Sequence, residues 1–422
     1  MIRKVLAALF ALSLSAHAAS AANCTAFPLP FTLTNGQTAD ATQVMANFND
    51  VINCVNALNA ATGPASSVAG HLATFADTSG KVLQDGGPFS VSAQYLASSA
   101  VALGGTMLNG TIVPSNAANA LTFTIQTLAG ATPSATDPVY FLFRNATPGT
   151  GNYSVISVTS ALSVTIPTSS TLGFANATPG RIWLAAINNA GTVELAVINC
   201  LTSTATSKSI YPLAGWGIIN TTALGGPSNS SGVFYSTIAR SSVPYGVLGY
   251  ANYESGLVTA GTWNANPTRM ELYRPGVPLP GAVVQTVYAS TTTTQATGTG
   301  TTKVATALTG TITPTSAANP VKVSAWSSVG ATSLPSAGAG YTQIWRNTGT
   351  TAIGNLSGTG DNAGAQAAGA FNFTFDNPQT TNSTQYGVYI TNQTAGNNWT
   401  FLGGSAWPSG GTGIMLIEEV MG

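Results

Sequence analysis

Apolar residues at Val44, Phe48, Val51, Val55 and Leu58 recur at spacings of 4, 3, 4 and 3, the period of a helix that presents a narrow stripe to a partner. The spacing predicts a helix over residues 38–60, with Thr38 or Asp40 offering a side-chain oxygen to the first turn. Asn47, Asn49, Asn53, Asn56 and Asn59 leave the rest of its surface polar but uncharged. Such a stripe needs a cover, either further copies of the helix or the chain's own sheet, and self-association is the reading adopted.

Beyond the helix the period shortens to that of strands. HLATFADTSGKVLQDGG at 71–87 predicts two short strands around Asp77-Thr78-Ser79-Gly80. From about residue 108 the β signal is continuous. DPVYFLFRN (137–145), NYSVISVTSALSVTIP (152–167) and RIWLAAINNAGTVELAVINC (181–200) are rich in β-branched and aromatic residues, the last with a hairpin turn at Asn188-Asn189-Ala190-Gly191. The Pro-rich segment at 274–283 predicts a stiff boundary. Beyond it seven strand segments follow, ending in GIMLIEEV. Residues 108–119, LNGTIVPSNAAN, match residues 308–319, LTGTITPTSAAN, at eight of twelve positions, which reads as one strand–turn–strand device used twice.

The fold class expected is therefore mainly β. A short N-terminal coiled-coil helix precedes two antiparallel β-sandwich or jelly-roll-like domains. Residues 22–63 carry the helix, 64–107 a linker and small hairpin, 108–282 a central β domain and 283–422 a C-terminal β head.

Composition narrows the function. Twelve basic and twelve acidic residues among 422 give a net charge of +0, too few and too scattered for a nucleic-acid binder. So charge-poor a β chain lacks the lysines that blunt sheet edges, and it is expected to hide those edges by intertwining or oligomerising. Arg3 and Lys4, an apolar run from Val5 and small residues through Ala22 read as a secretory signal over residues 1–21. No later stretch has transmembrane length, so no membrane insertion is expected after signal cleavage. In an exported chain Cys24 and Cys54 could form a disulfide, with an intermolecular bond through Cys54 as the alternative, and Cys200 reads as a buried small hydrophobe.

Chemistry-bearing patterns are sparse. After signal removal His71 is the one histidine, so neither a nucleophilic triad nor a metal site is expected, and no cofactor. Polysaccharide cleavage needs two carboxylates across a groove, for which Glu194, Glu254 and Glu271 are the least unsuitable trio. Carbohydrate recognition uses aromatic faces beside amide and hydroxyl groups. Trp326, Trp345, Trp399, Trp407, Tyr341 and Tyr386 all fall in the C-terminal region, and Trp399 and Trp407 in Gly-rich surroundings are the best candidates for exposure. Trp399, Trp407, Trp345, Tyr341 and Tyr386 are accordingly the candidate binding residues, although large aromatics usually fill cores.

TNGQTADATQVMANFNDVINCVNAL is similar to the N-terminal helix of many bacteriophage tail-fibre and related virion structural proteins, and GHLATFADTSGKVLQDGG resembles their short hairpin module. RIWLAAINNAGTVELAVINC and LGYANYESGLVTAGTWNANPTRMELYRPGVPLPG resemble a repeated element of phage or prophage tail proteins. TGTITPTSAANPVKVSAW with GIMLIEEV resembles the β head at fibre tips. The resemblance implies a non-enzymatic homotrimer whose distal head contacts a bacterial surface glycan or envelope component. A tailspike-type polysaccharide-degrading enzyme is the alternative. The secretory signal departs from the pattern of virion proteins and leaves open an exported adhesin of prophage origin.

Overall fold

The computed structural model describes Phe31 and residues 40–59, 71–75, 83–88, 106–144, 153–203, 208–226, 228–297, 299–333, 338–347, 349–361, 367–403 and 411–422. The signal segment, Cys24 and Trp407 lie outside these residues, as does the side chain of Cys54. The chain divides into two compact units, Met1–Ser92 and Ala93–Gly422.

The first unit holds the helix, Ala41–Asn59, and the strands His71–Phe75 and Leu83–Pro88, which pair antiparallel as expected. Asp40 caps the helix, its Oδ1 accepting from Thr42 N at 2.8 Å. Of the predicted stripe, Val44 and Val51 are half-buried and Phe48 is exposed, while the side chains of Val55 and Leu58 lie outside the described residues. The open apolar side is Met45, Phe48 and Ile52. Asn47 is buried instead, its amide holding Phe31 N at 3.1 Å and Phe31 O at 2.9 Å.

In the second unit the mainly β architecture is plain. A seven-stranded sheet runs in the order Trp216–Ile219, Val243–Tyr253, Gly180–Asn189, Thr192–Ile198, Tyr235–Ser236 and Thr222–Ala223, with Arg269–Leu272 also on Val243–Tyr253. The hairpin expected near residue 190 is present, closed by Ala190 and Gly191 at φ 50° and 95°. IWLAAI reads as an unbroken apolar run because the sheet is covered on both faces. Ile182, Leu184 and Ala186 pack toward Phe123, Phe141 and Ile166, while Trp183, Ala185 and Ile187 pack toward Phe234, Tyr245 and Met421. Cys200 is a free, buried thiol on this second side, and burial raises its pKa.

The β-rich segment 152–167 holds two strands, Tyr153–Val158 and Leu162–Ile166, which join different three-stranded sheets. One expectation changes here. The recurrence at 108–119 and 308–319 takes two conformations. In the first copy Gly110–Ala117 and Ala120–Thr127 form a hairpin turning on Ala118 and Asn119, both at positive φ. In the second, Val304–Ile312 and Val321–Ser333 belong to different sheets. The cause is a pair of carboxylates that capture the intervening loop. Glu419 accepts from Thr315 N, Thr315 Oγ1 and Asn319 Nδ2, and Glu254 from Ser316 Oγ and Ala317 N.

The same loop meets a buried guanidinium. Arg181 is 1% exposed, its Nε donating to Asn252 at 2.5 Å, its Nη1 to the Gly422 carbonyl at 2.8 Å and its Nη2 to Ser316 at 3.3 Å. Trp183 Nε1 donates to that carbonyl at 3.0 Å. Burial lowers the Arg181 pKa to about 10, so the group stays charged at neutral pH.

The C-terminal strands form a sandwich. A six-stranded sheet contains Val283–Thr291, Gly413–Val420, Val321–Ser333, Asn398–Phe401, Gln295–Ala296 and Ala367–Asp376. A five-stranded sheet contains Val304–Ile312, Thr384–Asn392, Gly338–Arg346, Thr351–Ala352 and Ser357–Asp361. Val321, Val323, Met415 and Ile417 of one meet Leu308, Ile344, Val388 and Ile390 of the other in one core.

Removing one side of a buried polar cluster strands the other. Glu419→Ala strips Thr315 N of its acceptor and takes one acceptor each from Asn319 and Gln285, and a loss of about 3–5 kcal/mol is expected, read as a lower denaturant midpoint. Cys200 is expected to resist a thiol reagent in the folded chain and to react in denaturant, as localised by peptide mass spectrometry.

Candidate functional site

Alternation along the strands gives each C-terminal sheet one inner and one outer face, and the two outer faces differ in chemistry. On the five-stranded sheet, Tyr341, Gln343 and Trp345 face outward, opposite Thr391, Tyr389 and Gly387 of the neighbouring strand. Trp345 and Tyr389 lie with ring centroids 5.8 Å apart. Lys303 Nζ sits 3.1 Å from the Trp345 ring centroid and 5.5 Å from that of Tyr389, and it donates to the Gly349 carbonyl. Tyr341 shares a hydrogen bond of 3.3 Å with exposed Gln393, and Gln343 Nε2 donates to the Gly354 carbonyl at 2.7 Å. This face therefore offers aromatic surface flanked by amides, hydroxyls and one cation.

Trp345 and Tyr341 are thus on the surface, each half-buried. Two other candidates are not. Trp399, expected in a Gly-rich loop, lies on the strand Asn398–Phe401 and is 0% exposed. Its indole lies on Gly340 of the facing sheet, where a Cβ would come within 2.4 Å of Cδ2. Tyr386 is also 0% exposed, and its hydroxyl donates to Asp376 Oδ2 at 2.8 Å. Arg346 Nη1 meets both Asp376 oxygens, at 3.1 and 2.9 Å. Burial, reinforced by Asp376, pushes the Tyr386 phenol far above its ordinary pKa. Strand alternation places both rings on inner positions, so they serve the core.

The carboxylate trio is engaged locally. Glu194 is bidentate with Arg240 at 2.9 and 2.6 Å, Glu271 pairs with Arg269 at 3.0 Å, and Glu254 holds the Ser316 loop. Among the described residues no group of three His, Cys, Asp or Glu is placed to hold a metal ion, and no helix is long and apolar enough to cross a membrane.

A second aromatic surface escaped the candidate set. On the six-stranded sheet the outer rows run Phe371, Trp326, Ile414, Ser290, then Phe373, Ser324, Leu416, Tyr288, then Phe375, Lys322, Glu418, Thr286. Trp326, Phe371, Phe373 and Tyr288 are 44%, 50%, 45% and 61% exposed. Trp326 and Phe371 have centroids 5.2 Å apart, and Phe371 and Phe373 stack at 6.5 Å. Lys322 and Glu418 pair across the last row at 2.7 Å. The signal was the alternation in FNFTF, whose phenylalanines belong outside.

No family model and no curated protein matches the chain. Among solved structures, that of infectious bursal disease virus, Gx strain, aligns over 78% of this chain and 82% of its own at 10% identity, with a TM-score of 0.23. The VP2 subviral particle of infectious bursal disease virus aligns over 78% and 87% at 8% identity, TM-score 0.21. T=1 particles derived from the same virus align over 78% and 80% at 9% identity, TM-score 0.21. These structural neighbours are viral particle proteins. Scores this low carry no argument about the role of this chain.

A Trp399→Ala substitution is expected to cost about 3–5 kcal/mol of stability by emptying a core position, measured by denaturant unfolding. Trp345→Ala is expected to cost far less, because that side chain is half-buried.

Proposed function

We propose that this chain is a structural protein of a virion, of the tail-fibre kind, which assembles as a homotrimer and engages a bacterial surface glycan or envelope component through its C-terminal sheets. The observation that carries the receptor part is the polar–aromatic outer face built by Tyr341, Gln343, Trp345, Tyr389 and Gln393. Sugar rings present C–H faces that lie on aromatic side chains and hydroxyls that exchange hydrogen bonds with amides, and this face supplies both. The helix, with Met45, Phe48 and Ile52 open to solvent, supports association of copies. Three weak sites held on one stem gain avidity from effective concentration, so no single site need be tight.

Sedimentation of the full chain with bacterial cells and with purified lipopolysaccharide or capsular glycan tests the reading. A Tyr341→Ala, Trp345→Ala pair is expected to weaken binding at least tenfold while leaving the circular dichroism spectrum unchanged. Undiminished binding by the pair removes the face from the proposal. New reducing ends on the glycan would replace adhesion by polysaccharide degradation.

A further inference from the structure

The strand Ala367–Asp376 is laid into its sheet with its polarity reversed. Ala370 and Asn372 face the interior, 3% and 2% exposed, while Phe371 and Phe373 face solvent. Hydrogen bonds enforce the choice. Asn372 Oδ1 accepts from Thr342 Oγ1 at 2.7 Å, and its Nδ2 donates to the carbonyls of Thr342 and Asn355 at 3.0 and 3.2 Å. Thr374 Oγ1 donates to the Ile353 carbonyl at 2.6 Å. A slip of one residue would turn the phenylalanines inward, yet the buried amide holds them out.

Phe371 and Phe373 continue through Trp326 and Leu416 to Tyr288, so the apolar surface crosses four strands. An aromatic side chain buries roughly 150–250 Å², so four rings about half exposed offer roughly 400 Å². A standard interface takes about 800 Å² from each partner, and half-buried Ile414, Leu416 and Phe375 add to the rings. Charge does not oppose a like partner, since Lys322 and Glu418 neutralise each other in the outermost row. Dense phenylalanine with little hydrogen-bonding capacity suits the core of a protein interface better than a sugar.

We propose that this face is covered by a neighbouring copy of the chain in the assembly. The proposal deepens the assembly reading above and rests on it, while being independent of the glycan surface on the opposite sheet.

The test combines sedimentation velocity of the full chain with hydroxyl-radical footprinting, from nanomolar to micromolar concentration. The expected result is that Trp326, Phe371 and Phe373 lose at least fivefold in labelling as the chain associates. A Phe371→Thr, Phe373→Thr double variant should raise the self-association dissociation constant at least tenfold while the affinity of each site for a short monovalent glycan fragment stays unchanged. Circular dichroism checks folding, and if the double variant does not fold, Trp326→Thr takes its place. Rings labelled equally in monomer and oligomer would overturn this interface and leave assembly standing on the helix. A chain monomeric at all concentrations would overturn both. Protection of the rings by phosphatidylglycerol vesicles in a monomeric chain would overturn it in favour of a lipid surface.

Discussion

A guanidinium shut away from water governs the second unit. Desolvating such a charge costs several kcal/mol even after relaxation, so the neighbourhood of Arg181 is arranged to satisfy it. Asn252 comes from the central sheet, Ser316 from the loop that joins the two sheets of the C-terminal sandwich, and the Gly422 carbonyl from beyond its last strand. Glu254 and Glu419 add negative charge nearby while binding the same loop. Segments far apart in sequence are thereby fixed to one point, which is also where Met421 covers the second face of the central sheet. The Pro-rich stretch contributes to the same cover through Val277 and Leu279.

The two sheets of the C-terminal sandwich differ in their outer faces. Both sheets share one apolar core, and what distinguishes them is the side turned away from it. One carries rings interspersed with amides and hydroxyls, the other rings in close rows. With so few charges in the chain, aromatic placement is the principal chemical difference between the two sides.

Much of this was legible in the residues. Thr384–Asn392 and Gly413–Val420 coincide with their apolar segments, and the hairpin at Ala190-Gly191 has the turn chemistry of a two-residue loop. What could not be read depends on distant partners. The Ala-Ala-Asn recurrence becomes a turn in one place and part of a captured loop in another because Glu419, about a hundred residues on, claims the second copy. Trp399 looked loop-like from the glycines after it, but its fate is set by Gly340 in the facing sheet. The phenylalanines of FNFTF face outward because Asn372 finds its acceptors inside, and alternation alone does not say which half of the pattern is buried.

The order of synthesis gives the Arg181 cluster a further meaning. Arg181 leaves the ribosome 241 residues before the carbonyl it binds, and at roughly 5–20 residues per second it waits about 10–50 s for that partner. During that interval Asn252 and Ser316 come within reach of the guanidinium, but it lacks the Gly422 carbonyl, and the second face of the central sheet lacks Met421. A product that stops short of Met421 and Gly422 therefore keeps an incomplete interior around Arg181 and Trp183.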